Sequence, residues 1–183
     1  MPDARNGSPT DVHRFAPAAP EEEHVYGACC PGWHSTVDHD DAVDEWADFM
    51  LERGIDRVCY LLSGDQLDST DADQGRYERA FGPENVRHVP IPDHHLADAK
   101  TLETELFPFL DDAVANDERV VVHCLAGIGR TGHVLAAWLV HGRDYDPVDA
   151  IETVEEMGRS PAEAEERGNA RRGELYELLA HFA

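Results

Sequence analysis

A cysteine and an arginine six positions apart, Cys124 and Arg130, stand in the segment Val120-Val-Val-His-Cys-Leu-Ala-Gly-Ile-Gly-Arg-Thr-Gly132. A thiolate is a strong nucleophile, and a guanidinium is a planar fork that grips two phosphate oxygens at once, which lysine cannot do. Val120 to Val122 read as a short buried strand. The chain must then turn sharply, and Gly127 and Gly129 permit backbone angles that a Cβ would forbid. A loop wound this way turns successive N–H groups inward and forms an anion nest. A helix beginning near Arg130 adds its positive N-terminal end to the same spot. That field also favours the thiolate of Cys124. Thr131 offers a hydroxyl next to the sulfur, and His123 can fix the loop from the strand side. The segment therefore suits capture of a phosphate dianion and attack on it by sulfur.

Two other readings compete. A lone cysteine after a strand is commonly just a small buried hydrophobe, but the full His-Cys-x5-Arg-Thr pattern argues against that here. Gly127-Ile-Gly129-Arg-Thr-Gly132 is also a G-x-G-x-x-G after a strand, the dinucleotide-binding fingerprint. That reading requires a second strand ending in an acidic residue about 20 positions on. Asp149 and Glu152 lie near that distance. However, Asp146-Pro147-Val-Asp-Ala-Ile151 reads as a helix start, with Asp146 as N-cap. No strand-like run follows it.

Sulfur displacing an alkoxide or phenoxide from phosphorus needs an acid to protonate the leaving oxygen. Asp93 follows Ile91-Pro92 directly after a strand-like run, and the prolines restrict that loop. Asp98 is the reserve. Asp68, Asp71 and Asp73 lie on an earlier loop. His94 and His95 flank the position.

The elements that must position these groups alternate in type. Short strands are expected over 24–26, 57–62, 86–91 and 120–123. Helices are expected over 40–53, 76–81, 97–115 (with a kink at Pro108), 130–141, 147–157 and 170–182. Residues 63–73 read as a polar loop. This order implies βαβ units: a single α/β domain with a mainly parallel four- to five-stranded sheet flanked by helices. Ligands of such sheets bind outside the carboxyl ends of the strands, where Cys124 and Asp93 both fall. Residues 1–22, rich in Pro, Ala and acidic residues, read as a flexible arm ahead of a domain over 23–183.

Val89-Pro-Ile-Pro-Asp93, the 120–132 segment and the order of elements resemble the small atypical dual-specificity phosphatases, a compact branch of the cysteine-dependent protein tyrosine phosphatase superfamily. The resemblance implies a phosphomonoester hydrolase acting on phosphorylated protein or a small phosphomonoester. It implies Cys124 as nucleophile and Arg130 as phosphate clamp. Backbone N–H groups of Leu125, Ala126, Gly127, Ile128, Gly129 and Arg130 would form the cradle. Asp93 would be the acid and then the base, and Thr131 would ease departure of the thiolate. No metal or other cofactor is implied. Relatives often carry Gly-Ser-x-Glu-Thr-x-x-Gln after the second C-terminal helix, whereas Gly158-Arg-Ser-Pro-Ala-Glu-Ala-Glu-Glu166 stands here without a glutamine. The alternative is a catalytically weak phosphate- or phosphoprotein-binding module.

Composition narrows the setting. The 183 residues carry 38 Asp and Glu against 15 Lys and Arg, a net charge of −23. Nucleic acid and anionic membranes are poor partners for such a surface. No apolar run is long enough to span a bilayer. The N-terminus has no signal-peptide pattern, so a cytoplasmic location is expected. Lys100 is the only lysine. So many acids with so little lysine resemble proteins of salt-loving archaea, where molar salt screens the charge. Cys29, Cys30 and Cys59 match no standard zinc spacing, even with His24 and His34 close to the first pair.

Overall fold

The computed structural model describes residues 12–33 and 39–183. In chain order its elements are β1 (Ala16–Pro17), β2 (Val25–Ala28), α1 (His39–Glu52), β3 (Arg57–Tyr60), α2 (Gly64–Leu67), α3 (Gln74–Phe81) and β4 (Val86–His88). There follow α4 (Ala99–Thr101), a π turn (Leu102–Leu106), α5 (Phe107–Ala115), β5 (Val120–His123), α6 (Gly129–Arg143), α7 (Pro147–Glu156), α8 (Glu163–Glu166) and α9 (Glu174–Ala180). The sheet order is β1-β2-β5-β3-β4. β2, β5, β3 and β4 run parallel, and β1 pairs antiparallel on the edge. The expected mainly parallel sheet is therefore present, with one short strand that the pattern did not reveal.

β5, three valines closed by His123, is central and fully buried, as a strand between two others in a parallel sheet is. Its side chains alternate. Val120 and Val122 face a core shared with Cys59, Leu61, α5, α6, α7 and α9. Val121 faces the opposite core, with Val58, Tyr60, Trp46, Met50 and Tyr77. Each buried valine contributes about 2 kcal/mol of hydrophobic stabilisation. α6 is buried along almost its whole length, from Gly129 to Val140, so it threads the core rather than covering it. Its N-terminus is thereby pinned just behind the 124–129 loop.

Pro108 does not break the long helix where it stands. The Phe107 N–H reaches back to the carbonyl of Leu102 and opens one π turn ahead of the proline. A proline ring clashes with the carbonyl four residues before it, and a widened turn relieves the clash.

The arm expected over 1–22 is corrected in part, since residues 1–11 lie outside the described residues. Residues 16–17 pair with β2, and Ala18 and Ala19 are buried. Glu22 is buried too. It accepts from Arg143 Nε (2.8 Å), Trp138 Nε1 (3.1 Å) and the N–H of His24 (2.8 Å). Burial alone would raise its pKa, but these donors outweigh it and hold the carboxyl below the usual range. Composition suggested a loose segment here because it does not register a single buried acid tied to Arg143, Trp138 and the backbone at 24–25.

Candidate active site

Cys124 leaves the carboxyl end of β5 and is almost wholly buried, 2% exposed. The Thr131 hydroxyl donates to its Sγ at 3.1 Å. Arg130, on the first turn of α6, is buried as well. Its Nη1 donates to the Ile91 carbonyl (3.1 Å), the Leu61 carbonyl (3.4 Å) and Gln66 Oε1 (2.7 Å). Three acceptors from the chain ends after β3 and β4 thus fix one edge of the guanidinium. Its Nη2 lies 3.0 Å from Asp93 Oδ1. The four residues expected to do chemistry are therefore brought together. Asp98 is elsewhere: it caps α4 by accepting the Thr101 N–H at 2.7 Å, a bond that lowers its pKa.

His123 bonds the loop from the strand side. His123 is buried, accepts the Tyr77 hydroxyl at Nε2 (2.9 Å) and donates from Nδ1 to the Cys124 carbonyl (2.9 Å). Both bonds require the neutral ring with its proton on Nδ1. Burial, with the Arg130 charge nearby, pushes its pKa down to about 4. His133, one turn into α6, is buried and neutral in the same way, also at about 4. It accepts the Ala97 N–H at Nε2 (3.0 Å), so it ties α6 to the loop that carries Asp93.

The motif glycines are required by what lies against them. Gly127 has φ +74, and a Cβ there would stand 2.5 Å from the Ala28 carbonyl oxygen. A Cβ on Gly129 would collide with the Glu163 carboxylate, and one on Gly132 would meet Pro161 at 3.0 Å. Asp146 caps α7 by accepting the Val148 N–H (2.9 Å). No strand follows β5 among the described residues, so the dinucleotide reading lacks its second half.

A family model described as "Polymorphic toxin system, DSP-PTPase phosphatase" matches residues 35–143. The chain belongs to this DSP-PTPase phosphatase family. Human dual specificity protein phosphatase 7 is 32% identical over 111 residues, covering 52% of this chain and 26% of that protein. The Drosophila melanogaster dual specificity protein phosphatase Mpk3 is 35% identical over 66 residues, 36% of this chain and 16% of that protein. The chain spans about a quarter or less of the length of these relatives. The fold is that of solved phosphatases. Tk-PTP in its active form aligns with TM-score 0.63 at 24% identity over 85% of this chain and 93% of that one. PTPMT1 in complex with PI(5)P aligns with TM-score 0.66 at 14% identity over 92% and 96%.

Beyond the stretch matched by the DSP-PTPase model, the 158–169 segment packs on the loop residue by residue. Arg159, buried, donates to the Gly127 carbonyl and to the Arg14 carbonyl (2.9 Å). Burial lowers its pKa to about 10, so its guanidinium stays charged at neutral pH. The Ser160 N–H donates to the Ile128 carbonyl (3.3 Å). Glu163 sits over Gly129 and 3.5 Å from His94 Nδ1. Asn169 Nδ2 donates to the His94 carbonyl (3.1 Å), so the segment touches the acid loop as well. Sequence reasoning noticed this stretch only as a departure. It missed Gln66, Arg159, Glu163 and His133 as parts of the site. Ser63 followed three residues later by Gln66 is a capping-box signature, and it was the available sign of α2.

Cys29, Cys30 and Cys59 are buried, and burial raises each thiol to about 12. They stay protonated and are poor metal ligands. His34 lies outside the described residues.

Proposed function

We propose that the protein is a phosphomonoester hydrolase working through a cysteinyl-phosphate intermediate on phosphorylated protein or a small phosphomonoester. The observation that carries this is the convergence of Cys124, Arg130 and Asp93 on one cleft of about 280 Å³ at the carboxyl ends of the strands, with the buried Thr131 hydroxyl on the sulfur. The N–H groups from Leu125 to Arg130 and the Arg130 guanidinium bind the phosphate. The Cys124 thiolate attacks phosphorus and forms the S–P bond. The P–O ester bond breaks, and the leaving oxygen takes a proton from Asp93. Water then attacks phosphorus and gives its proton to the Asp93 carboxylate. The S–P bond breaks, Thr131 donates to the departing thiolate, and inorganic phosphate leaves.

Glu163 supplies what the missing glutamine left open. Its carboxylate lies against Gly129 at the edge of the cleft, where it can accept a hydrogen bond from the attacking water. Neither step uses a metal. A mere binding module has no use for a buried cysteine with a hydroxyl on its sulfur. The composition supports a cytoplasm of high salt as the working place. The test is p-nitrophenyl phosphate turnover in high salt with a chelator present. The wild type turns over and Cys124→Ser does not; equal rates in the two would sink the proposal.

A further inference from the structure

Trp33 is one of the few large apolar residues exposed on the described surface, 43% exposed, and it lines the cleft above Cys124. Its position is fixed by backbone. The Trp33 N–H donates to the Cys30 carbonyl (3.3 Å), closing a four-residue turn. Pro31 stands second in that turn and Gly32, with φ +81, stands third, the residue pattern of a type II turn. A side chain on Gly32 would also run into the Asp71 carboxylate. The Cys30 N–H donates to the Leu125 carbonyl (3.0 Å), so the turn is bonded to the phosphate loop itself. The main chain that carries the indole is thus held at a set place relative to the phosphate loop.

Two further observations bear on what passes the indole. The rest of the rim on the loop side is apolar: Leu125, Ala126 and Ile128. The nucleophile is 2% exposed, so the phosphate must be delivered on a stem. A phenyl ring on that stem presents its faces to the indole and the apolar rim. A serine or threonine stem offers no such face.

We propose that Trp33 is an aromatic platform for the leaving group and that the site takes aryl phosphates, peptide phosphotyrosine foremost, ahead of phosphoserine and phosphothreonine. This rests on the hydrolase reading above. Offset or edge-on contact between aromatic rings favours this occupant over an aliphatic stem. An inositol phosphate headgroup carries extra phosphates that need cations. Residues 125–129 supply none; Arg167 also lines the cleft, but its Nη2 already lies 3.8 Å from the Glu163 carboxylate, and Asp93 adds a further acid there.

The experiment compares kcat/KM on one peptide carrying phosphotyrosine or phosphothreonine, and on vesicles containing phosphatidylinositol monophosphate. The proteins are wild type, Trp33→Phe, Trp33→Ala and Cys124→Ser. Wild type is expected to favour the phosphotyrosine peptide. Trp33→Ala should lose roughly tenfold on it, the order of an aromatic pair's contribution, and change little on phosphothreonine. Trp33→Phe should keep most of the activity. Equal losses on both peptides, no loss on phosphotyrosine, or a wild-type preference for phosphothreonine or lipid overturns the platform. Activity surviving in Cys124→Ser overturns the hydrolase reading instead, so the two failures are distinguishable.

Discussion

Asp93 Oδ1 stands 3.0 Å from Nη2 of Arg130, so the acid expected to serve the leaving group is paired with the clamp expected to hold the phosphate. Nη1 is already committed to the Leu61 and Ile91 carbonyls and to Gln66. An incoming phosphate must therefore share or displace the Asp93 contact. Removing that carboxylate frees a donor and takes away a like charge. Asp93→Ala is expected to bind inorganic phosphate or tungstate several-fold more tightly than wild type, measured calorimetrically in high salt. Equal or weaker binding would contradict the pairing.

The same substitution separates leaving groups. A general acid contributes roughly 10²–10⁴-fold when the leaving oxygen is poor. Asp93→Ala should lose that much on an alkyl phosphate and much less on p-nitrophenyl phosphate. Comparable losses on both would argue against the acid role.

Glu163 bears on the second step. Misplacing a reacting group costs up to about 10²-fold, so Glu163→Ala should lower steady-state turnover roughly 10- to 100-fold while leaving the pre-steady-state burst of p-nitrophenol intact. Loss of the burst together with turnover would place the residue's effect on the first step or on folding.

Much of this site was legible in the sequence because the loop chemistry is local. Cys124, Arg130 and Thr131 are within eight residues of one another, and Asp93 was reached from strand polarity alone. What was not legible depends on distant pairings. Glu22 is buried only because Arg143 and Trp138 meet it, and Arg159 reaches the Gly127 carbonyl only because Gly27 leaves it room. β1 is two residues long, too short for periodicity to register. The place of Trp33 at the cleft needed the fold, since only the turn's bond to Leu125 brings that segment to the loop.

The glycines should rank by what opposes a side chain. At Gly127 alanine meets left-handed backbone and the Ala28 carbonyl, neither of which can yield easily. Gly127→Ala is expected to cost at least about 2 kcal/mol of stability. At Gly129 the Glu163 carboxylate can swing away, while its Cβ, 2.9 Å from the added methyl, yields only by a small shift of α8, so Gly129→Ala should cost about 1 kcal/mol, less than Gly127→Ala. Urea unfolding checks the order, and a reversed order would contradict the packing described.

His123 and His133 set an acid limit. Each is held neutral in the fold at about 4, below the ordinary 6.5 of an exposed ring. Between those values the unfolded chain takes up protons that the folded chain refuses, so stability falls as pH drops from about 6.5 to about 4. The loss reaches at most a few kcal/mol per histidine. His133→Gln, which keeps an acceptor for the Ala97 N–H, should flatten part of that slope in urea titrations at pH 7 and pH 5. An unchanged slope would contradict the assignment.

The central claim is that phosphate passes through the sulfur of Cys124. Rapid acid quenching during turnover of a phosphomonoester, followed by peptide mass spectrometry, reads it directly. One phosphate on the peptide containing Cys124, absent from Cys124→Ser and enriched in Glu163→Ala, is the expected result. Full turnover with phosphate on no cysteine, or undiminished turnover by Cys124→Ser, would contradict it.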